Sequence, residues 1–90
     1  AIVIKVIDTE EAIKVANDSV YGLGGSVWTA DQEKGIEVAR KVETGAMFIN
    51  QMVASDPRLP FGGIKNSGYG RELSHLGIRA FVNQKTISLA

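Results

Sequence analysis

The chain has 90 residues, of which 44% are apolar and 22% are charged, and its formal net charge is zero. These proportions are ordinary for a globular domain, and the balanced charge argues against a nucleic-acid partner, which would require clustered basic residues. The chain contains no cysteine and a single histidine, which excludes disulfides, a cysteine nucleophile and multi-histidine or thiolate metal sites within these residues. No apolar run is long enough to span a bilayer, so we expect no membrane partner and a cytoplasmic location.

The first part of the chain has the pattern of alternating strands and helices. Ile2–Ile7 is a β-branched run that predicts a buried strand. Asp8 is a good N-cap and Glu11 follows it in capping-box position, which predicts a helix over Thr9–Asn17. The apolar run Ser26–Thr29 predicts a second strand.

The same alternation continues to the middle of the chain. Asp31 is the expected N-cap of a helix over Gln32–Val42, and Gly45 stands where a left-handed residue often ends a helix. Ala46–Ile49 predicts a third strand. The order β-α-β-α-β indicates an α/β layer with a mostly parallel sheet. We expect one set of apolar side chains to face the core: Ala12, Val15, Ala16, Tyr21, Trp28, Ile36, Ala39, Val42 and Phe48.

The second part of the chain is dominated by a long irregular segment. Gln51–Gly70 has few strand or helix signals, and a loop of this length in a compact domain is usually functional. Glu72–Phe81 then predicts a third helix, and Gln84–Ala90 predicts a last strand. That strand is too apolar for an exposed edge, so it pairs either within its own domain or with another subunit. The chain opens without Met in a predicted strand, which favours a piece of a longer protein.

The long segment contains a glycine-rich run that invites a nucleotide-binding interpretation. Gly63 and Gly68 have the separation of a phosphate-binding loop, but Tyr69 stands where its lysine is required. A dinucleotide fingerprint fails as well, because Leu73 stands where the third glycine belongs and the run follows a loop instead of a strand. A structural packing loop is the favoured interpretation.

The remaining polar candidates lie close to this run. Asp56 and Arg58 flank Pro57, and they form either a solvated ion pair in a local turn or part of a recognition loop. In the second case Ser55 and Arg58 are available to an anionic group. His75 falls in the predicted third helix, where a surface or packed histidine is favoured over a general base.

Four segments, in order and covering nearly the whole chain, resemble the aldehyde dehydrogenase superfamily. From Pro60 onward, the chain matches the signature found near the C-terminal end of that family, Pro-Phe-Gly-Gly-x-Lys-x-Ser-Gly-x-Gly-Arg-Glu. The other three resemble its D-x-(D/E)-E-A-I-x-x-A-N helix, its Y-G-L turn with the following V-(W/F)-T strand, and its G-x-(V/I)-x-(I/V)-N strand. They are Asp8–Asn17, Tyr21–Thr29 and Gly45–Asn50.

The resemblance implies the C-terminal part of an NAD(P)-dependent aldehyde dehydrogenase, which oxidises an aldehyde to a carboxylic acid. Residues 1–83 would belong to its catalytic domain and residues 84–90 would form its oligomerisation arm. The nucleophilic cysteine, the glutamate that activates water and the nucleotide-binding domain precede this segment in the family. The resemblance therefore implies that NAD or NADP binds the full-length enzyme and that this segment alone is inactive.

The resemblance also assigns substrate contacts to the long loop. Val53, Ser55 and Phe61 match positions of the family's aldehyde pocket, with Phe61 as its aromatic wall. The Ser55–Leu59 sequence is most similar to members that act on succinate semialdehyde, and Arg58 would bind the carboxylate of such a substrate. The alternative interpretation is a free-standing α/β interaction or assembly module without catalytic activity.

Overall fold

A computed structural model describes all residues, 1–90. The chain is a mixed α/β structure whose helices are α1, α2 and α3 and whose strands are β1 to β4. None of the helices is long and apolar enough to cross a membrane. The elements in chain order are α1 Thr9–Asn17, β1 Tyr21–Gly22, β2 Gly24–Val27, α2 Gln32–Lys41, β3 Ala46–Ile49, β4 Ile64–Lys65 and α3 Ser74–Arg79.

The strands form two separate two-stranded sheets. β2 and β3 pair in parallel from Gly24 opposite Ala46 to Val27 opposite Ile49, with α2 as the connection between them. β1 and β4 pair antiparallel. The expected single, mostly parallel layer is therefore wrong, because parallel pairing is confined to β2 and β3 and the long loop contributes its own antiparallel strand.

The two longer helices begin where their capping residues predict. The Asp8 carboxylate accepts a hydrogen bond from the Glu11 amide at 2.8 Å, and the Glu11 carboxylate accepts one from the Ile7 amide at 2.7 Å. The Asp31 carboxylate accepts from the Lys34 amide at 3.0 Å. These bonds satisfy backbone donors that the first helical turn leaves free. The predicted span of α1 is confirmed, and α2 ends one residue before the predicted Val42.

The third helix is shorter than the sequence predicts, spanning Ser74–Arg79 instead of Glu72–Phe81. Glu72 pairs with Phe61 through both of its backbone groups, at 2.9 and 2.7 Å, and so cannot enter a helix. Leu73 and Ser74 then have positive φ angles of 63° and 52°. A strand-like pairing followed by two left-handed residues delays the helix.

Gly45 does not have the left-handed conformation that the sequence predicts; among glycines, positive φ occurs at Gly68 and Gly70. Its requirement is space, because a Cβ on Gly45 would overlap the Gly62 carbonyl oxygen. The main chain before β3 therefore lies directly against the main chain of the glycine-rich run. Close approach of two backbones is a second reason for a glycine.

Two predicted strands are absent from the structure, and a third is displaced. Residues 2–7 and 84–90 form no strand, because neither segment finds a pairing partner within this chain. Leu89 is 90% exposed. β2 begins two residues earlier than the predicted Ser26–Thr29, and Thr29 instead pairs with a side chain, that of Asn50.

The chain buries no hydrophobic side chain. Its four buried residues are all glycines, Gly22, Gly35, Gly63 and Gly77. The prediction of core positions is wrong for Tyr21 and Trp28, which are 64% and 67% exposed. It is also wrong for Val15, Ala16 and Ile36, which are exposed, whereas Ala12, Ala39, Val42 and Phe48 are half-buried. Helical and strand periodicity identified apolar faces, but no layer of this chain covers them.

Candidate functional site

The candidate site is the loop of residues 51–60, which we call the site loop. Its first anchor is Asn50, which leaves β3 with φ 54°. The Asn50 side-chain oxygen accepts from the Thr29 amide and its side-chain nitrogen donates to the Thr29 carbonyl, both at 2.8 Å. Asparagine tolerates this left-handed conformation better than most residues. The chain therefore turns out of the sheet at a defined point.

The second anchor lies at the far end of the site loop. Phe61 pairs with Glu72 in an isolated antiparallel bridge, and the Phe61 side chain is half-buried. This bridge closes residues 61–72 into one glycine-rich unit. The site loop is consequently held at both ends by main-chain contacts to other parts of the chain.

The middle of the site loop is a tight turn with a third anchor. The Leu59 amide donates to the Asp56 carbonyl at 2.9 Å, with Pro57 and Arg58 at the corner. The Pro57 carbonyl accepts from the Ser74 amide at 3.0 Å, which ties the turn to the start of α3. Proline suits the second position of such a turn because its φ is already set.

Asp56 and Arg58 form an ion pair within that turn. One carboxylate oxygen of Asp56 accepts from the Arg58 amide and from Nε, both at 2.9 Å, and the other accepts from Nη2 at 2.6 Å. The Arg58 guanidinium, followed by the Arg58 backbone amide, lowers the pKa of Asp56 to about 2. The Asp56 carboxylate in turn raises the pKa of Arg58. The local ion pair of the first interpretation is therefore present.

The other predicted site residues lie on the same loop with fewer contacts. Val53 lies beside β2, since a Cβ on Gly24 would be 3.0 Å from its Cγ1. Ser55 is exposed, and its hydroxyl makes no hydrogen bond within the chain. Arg58 Nη1 is likewise without a partner in the chain. The structure thus brings Val53, Ser55 and Arg58 onto one anchored loop that ends at Phe61.

The two main cavities of the chain lie outside this set of residues. The larger, about 660 Å³, is an apolar groove between α1, α2 and β2. The smaller cavity, about 470 Å³, is lined by Pro57 on one side and by α3 on the other. Neither is lined by Val53, Ser55, Arg58 or Phe61. The assignment of these four residues to a substrate pocket therefore remains a prediction.

The polar residues of the glycine-rich run make contacts that sequence reasoning missed. The Lys65 ammonium donates to the carbonyls of Asn17 and Ser19 at 3.0 and 3.1 Å, and it pairs with the Glu43 carboxylate at 2.6 Å. A cation at this position satisfies the free carbonyls at the end of α1. The signal in the sequence is a single lysine between glycines, which does not by itself indicate this role.

Two further side chains of the run bond to main-chain groups, one in β1 and one within the run itself. The Ser67 hydroxyl accepts from the Gly22 amide at 3.0 Å. The Arg71 guanidinium donates to the carbonyls of Gly63 and Gly70 at 2.9 and 2.6 Å. These groups stabilise the loop itself, which supports the packing interpretation over a phosphate-binding one. His75 is exposed, and its imidazole makes no hydrogen bond within the chain.

Comparison with known proteins places these features in a family. The model of the aldehyde dehydrogenase family matches residues 1–87. The chain is 57% identical over 81 residues to a probable succinate-semialdehyde dehydrogenase [NADP(+)] of Synechocystis sp., a match that covers 90% of this chain and 18% of that protein. It is 47% identical over 87 residues to a succinate-semialdehyde dehydrogenase [NADP(+)] of Deinococcus radiodurans, covering 97% of this chain and 18% of the relative.

Solved structures agree with the sequence comparison. The succinic semialdehyde dehydrogenase of Streptococcus pyogenes, solved with NADP+ as the cofactor, superimposes with a TM-score of 0.90 at 58% identity, over 93% of this chain and 18% of that one. An aldehyde dehydrogenase of Mycobacterium tuberculosis complexed with NAD+ gives a TM-score of 0.84 at 53% identity, over 90% of this chain and 17% of that one. The chain thus spans less than a fifth of the length of these relatives. With the family model matching 87 of its residues, the chain belongs to the aldehyde dehydrogenase family.

Proposed function

We propose that this chain is the C-terminal segment of an NAD(P)-dependent aldehyde dehydrogenase that oxidises succinate semialdehyde to the dicarboxylic acid. The family membership and the relatives named succinate-semialdehyde dehydrogenase support this proposal. In it, the segment supplies part of the substrate pocket and a subunit contact. The nucleophile and the cofactor-binding residues belong to other parts of the enzyme, so the isolated chain forms no NADH.

The observation that carries the proposal is the anchored site loop with two unpartnered polar groups. The loop is fixed by Asn50 at its start, by Ser74 at its turn and by Glu72 at its end. Ser55 and Arg58 nevertheless leave a hydroxyl and a guanidinium edge without partners in the chain. A rigid loop that presents free donors is typical of a binding surface.

The chemistry of the loop suits an aldehyde that carries a carboxylate. Arginine binds carboxylates through two parallel hydrogen bonds, and the Nη1 end of Arg58 remains available for them. The Ser55 hydroxyl adds a further donor. Val53 and Phe61 supply apolar surface for the methylene carbons between carboxylate and aldehyde. The chain belongs at one wall of the pocket, and the remaining walls come from the rest of the enzyme.

The poor burial of this chain supports its dependence on the rest of an enzyme. Its radius of gyration is 16.7 Å, whereas a compact domain of 90 residues has about 12 Å. It also buries no hydrophobic side chain. Both features count against the alternative, a free-standing interaction or assembly module. The partners in our proposal are the upstream part of the enzyme, the small aldehyde substrate and a second subunit.

The subunit contact in this proposal is the arm of residues 84–90, with residues 1–83 as part of the catalytic domain. The arm is exposed and forms no strand within the chain, and its apolar residues alternate with polar ones. An extended segment with free backbone groups is suited to adding a strand to a neighbouring sheet. The cytoplasmic location expected from the sequence remains a prediction.

The test of the substrate assignment is Arg58→Ala in the full-length enzyme. We expect the KM for succinate semialdehyde to rise at least about tenfold, because the charge-assisted hydrogen bonds to its carboxylate are lost, while the KM for butanal stays unchanged. Arg40→Ala, which removes an exposed arginine from α2, is the control and leaves both values unchanged. An equal rise for both aldehydes would refute the carboxylate-binding role.

A further inference from the structure

The inference concerns how Arg58 is held, and it rests on the substrate proposed above. Asp56 occupies one edge of the Arg58 guanidinium, the edge formed by Nε and Nη2. A guanidinium carries five N–H donors in a rigid plane. The Asp56 carboxylate accepts two of them, so the opposite end, with both N–H groups of Nη1 and one of Nη2, remains available.

The two partners differ in how firmly the fold holds them. The Asp56 side chain is 29% exposed, and its residue forms the first position of the anchored turn. The Arg58 side chain is 86% exposed, and Asp56 is its hydrogen-bonding partner in the chain. A long, exposed arginine without such a partner samples many rotamers and loses that freedom when it binds a ligand. The fold therefore holds the Asp56 carboxylate in place, and the hydrogen bonds that this carboxylate accepts orient the Arg58 guanidinium.

We propose that Asp56 is a positioning residue for substrate binding, which orients the Arg58 guanidinium so that its Nη1 end is preorganised for the carboxylate of the aldehyde substrate. The residue does not contact the substrate in this arrangement. It acts through Arg58, and it determines specificity for substrates that carry a carboxylate.

Asp56 has two opposite effects on a bound carboxylate, and their sizes decide the sign of the prediction. Its negative charge repels the substrate, which disfavours binding. Its hydrogen bonds fix the guanidinium, which favours binding. The pair lies at an exposed position of the chain, where the high dielectric constant of water weakens charge repulsion. Preorganisation is not screened in this way. We therefore expect the positioning effect to dominate and removal of Asp56 to weaken binding of the carboxylate.

The variant Asp56→Asn separates positioning from turn formation. An asparagine side-chain oxygen can still accept the 2.9 Å hydrogen bond from the Arg58 amide, so the turn is retained. The charged, two-point contact with the guanidinium is lost. In the full-length enzyme we expect the KM for succinate semialdehyde to rise about fivefold, below the effect of losing the guanidinium itself, with kcat and the KM for butanal unchanged.

A double-mutant cycle tests whether Asp56 acts through Arg58. In the Arg58→Ala background, Asp56→Asn should change the KM for succinate semialdehyde no further. A full additional effect in that background, or an equal rise in the KM for butanal, would overturn the positioning role, because either result assigns Asp56 to the structure of the loop. An unchanged or lower KM for succinate semialdehyde in Asp56→Asn would overturn it as well.

The same measurements separate this inference from the proposed substrate. If Arg58→Ala discriminates between the two aldehydes and Asp56→Asn does not, the positioning role alone is lost and the substrate assignment stands. If Arg58→Ala affects both aldehydes equally, both proposals are overturned. Butanal turnover by each variant reports whether the active site is still assembled.

Discussion

The Asn50 side chain pairs with the main chain of Thr29 through two hydrogen bonds of 2.8 Å, across 21 residues of sequence. This pair adds one rung beyond the last backbone pairing of β2 and β3, between Val27 and Ile49. At the same residue the backbone turns to φ 54° and leaves the sheet. The end of the parallel sheet and the start of the site loop are therefore set by a single asparagine.

Substitution of Asn50 should separate its side-chain bonds from its backbone conformation. Asn50→Gly removes the two hydrogen bonds but relieves positive φ, and should cost about 1–2 kcal/mol of stability. Asn50→Ala removes the same bonds and keeps the left-handed strain, and should cost about 2–4 kcal/mol. Thermal denaturation of the full-length enzyme measures which of the two variants is less stable. Equal stability of the two variants would show that the left-handed conformation carries no cost here.

Gly45 and Gly68 provide a comparison between lack of space and backbone strain. A Cβ on Gly45 would overlap the Gly62 carbonyl oxygen, whereas a Cβ on Gly68 would meet nothing within 4 Å. Gly68 instead has φ 120°. We expect Gly45→Ala to prevent accumulation of folded enzyme, because two main-chain segments must separate. Gly68→Ala should cost about 1–3 kcal/mol from strain alone. The soluble yield and the thermal midpoint of the two variants are compared. Equal destabilisation of Gly45→Ala and Gly68→Ala would contradict the distinction between lack of space and backbone strain.

The low pKa of Asp56 makes a prediction about pH. Its pKa of about 2 lies below the ordinary carboxyl value, chiefly because of the hydrogen bond from the Arg58 guanidinium. A lowered pKa means that the pair stabilises the fold at all pH values above the unfolded carboxyl pKa, near ~3.9. That stabilisation is lost as the pH falls through about 2. The difference in thermal midpoint between the parent enzyme and Asp56→Asn should thus be constant from pH 5 to pH 8. A difference that grows with pH in this range would contradict the pairing.

Deletion of residues 84–90 tests the proposed arm. If the arm is the subunit contact, the full-length enzyme without these residues should form a smaller oligomer, which light scattering measures as a lower mass. The control is Thr86→Asp with Ser88→Asp, which changes only the polar, alternate side chains of the arm. The control should keep the parent mass. An oligomer that survives the deletion would exclude the arm as the contact.

Local signals in the sequence predicted α1 and α2 well, but they predicted α3 and the strands less well. The capping residues Asp8 and Asp31 determined where α1 and α2 begin, since a cap acts within one helical turn. Ala46–Ile49 was also correctly predicted as a strand. By contrast, residues 2–7 have strand composition without a strand, because a strand requires a pairing partner and this chain provides none.

The candidate site shows the same difference between local contacts, which the sequence indicates, and long-range contacts, which it does not. The sequence places Ser55, Asp56 and Arg58 on one loop and indicates an Asp56–Arg58 ion pair as one of two interpretations, because these residues are neighbours along the chain. It did not predict the hydrogen bond between the Pro57 carbonyl and the Ser74 amide. It also did not predict that the Lys65 ammonium would bond to a carbonyl at the end of α1. Both contacts join residues far apart in sequence.

The amino-acid sequence by itself determined the family, the helix starts and the residue types on the site loop, because each depends on short, ordered patterns. The tertiary structure decided which glycine is needed for space, which strands find partners and which edge of Arg58 is free. These properties depend on contacts between distant segments, whose geometry no local pattern contains. The exposed apolar faces of the helices show where the sequence indicates burial that these 90 residues do not provide by themselves.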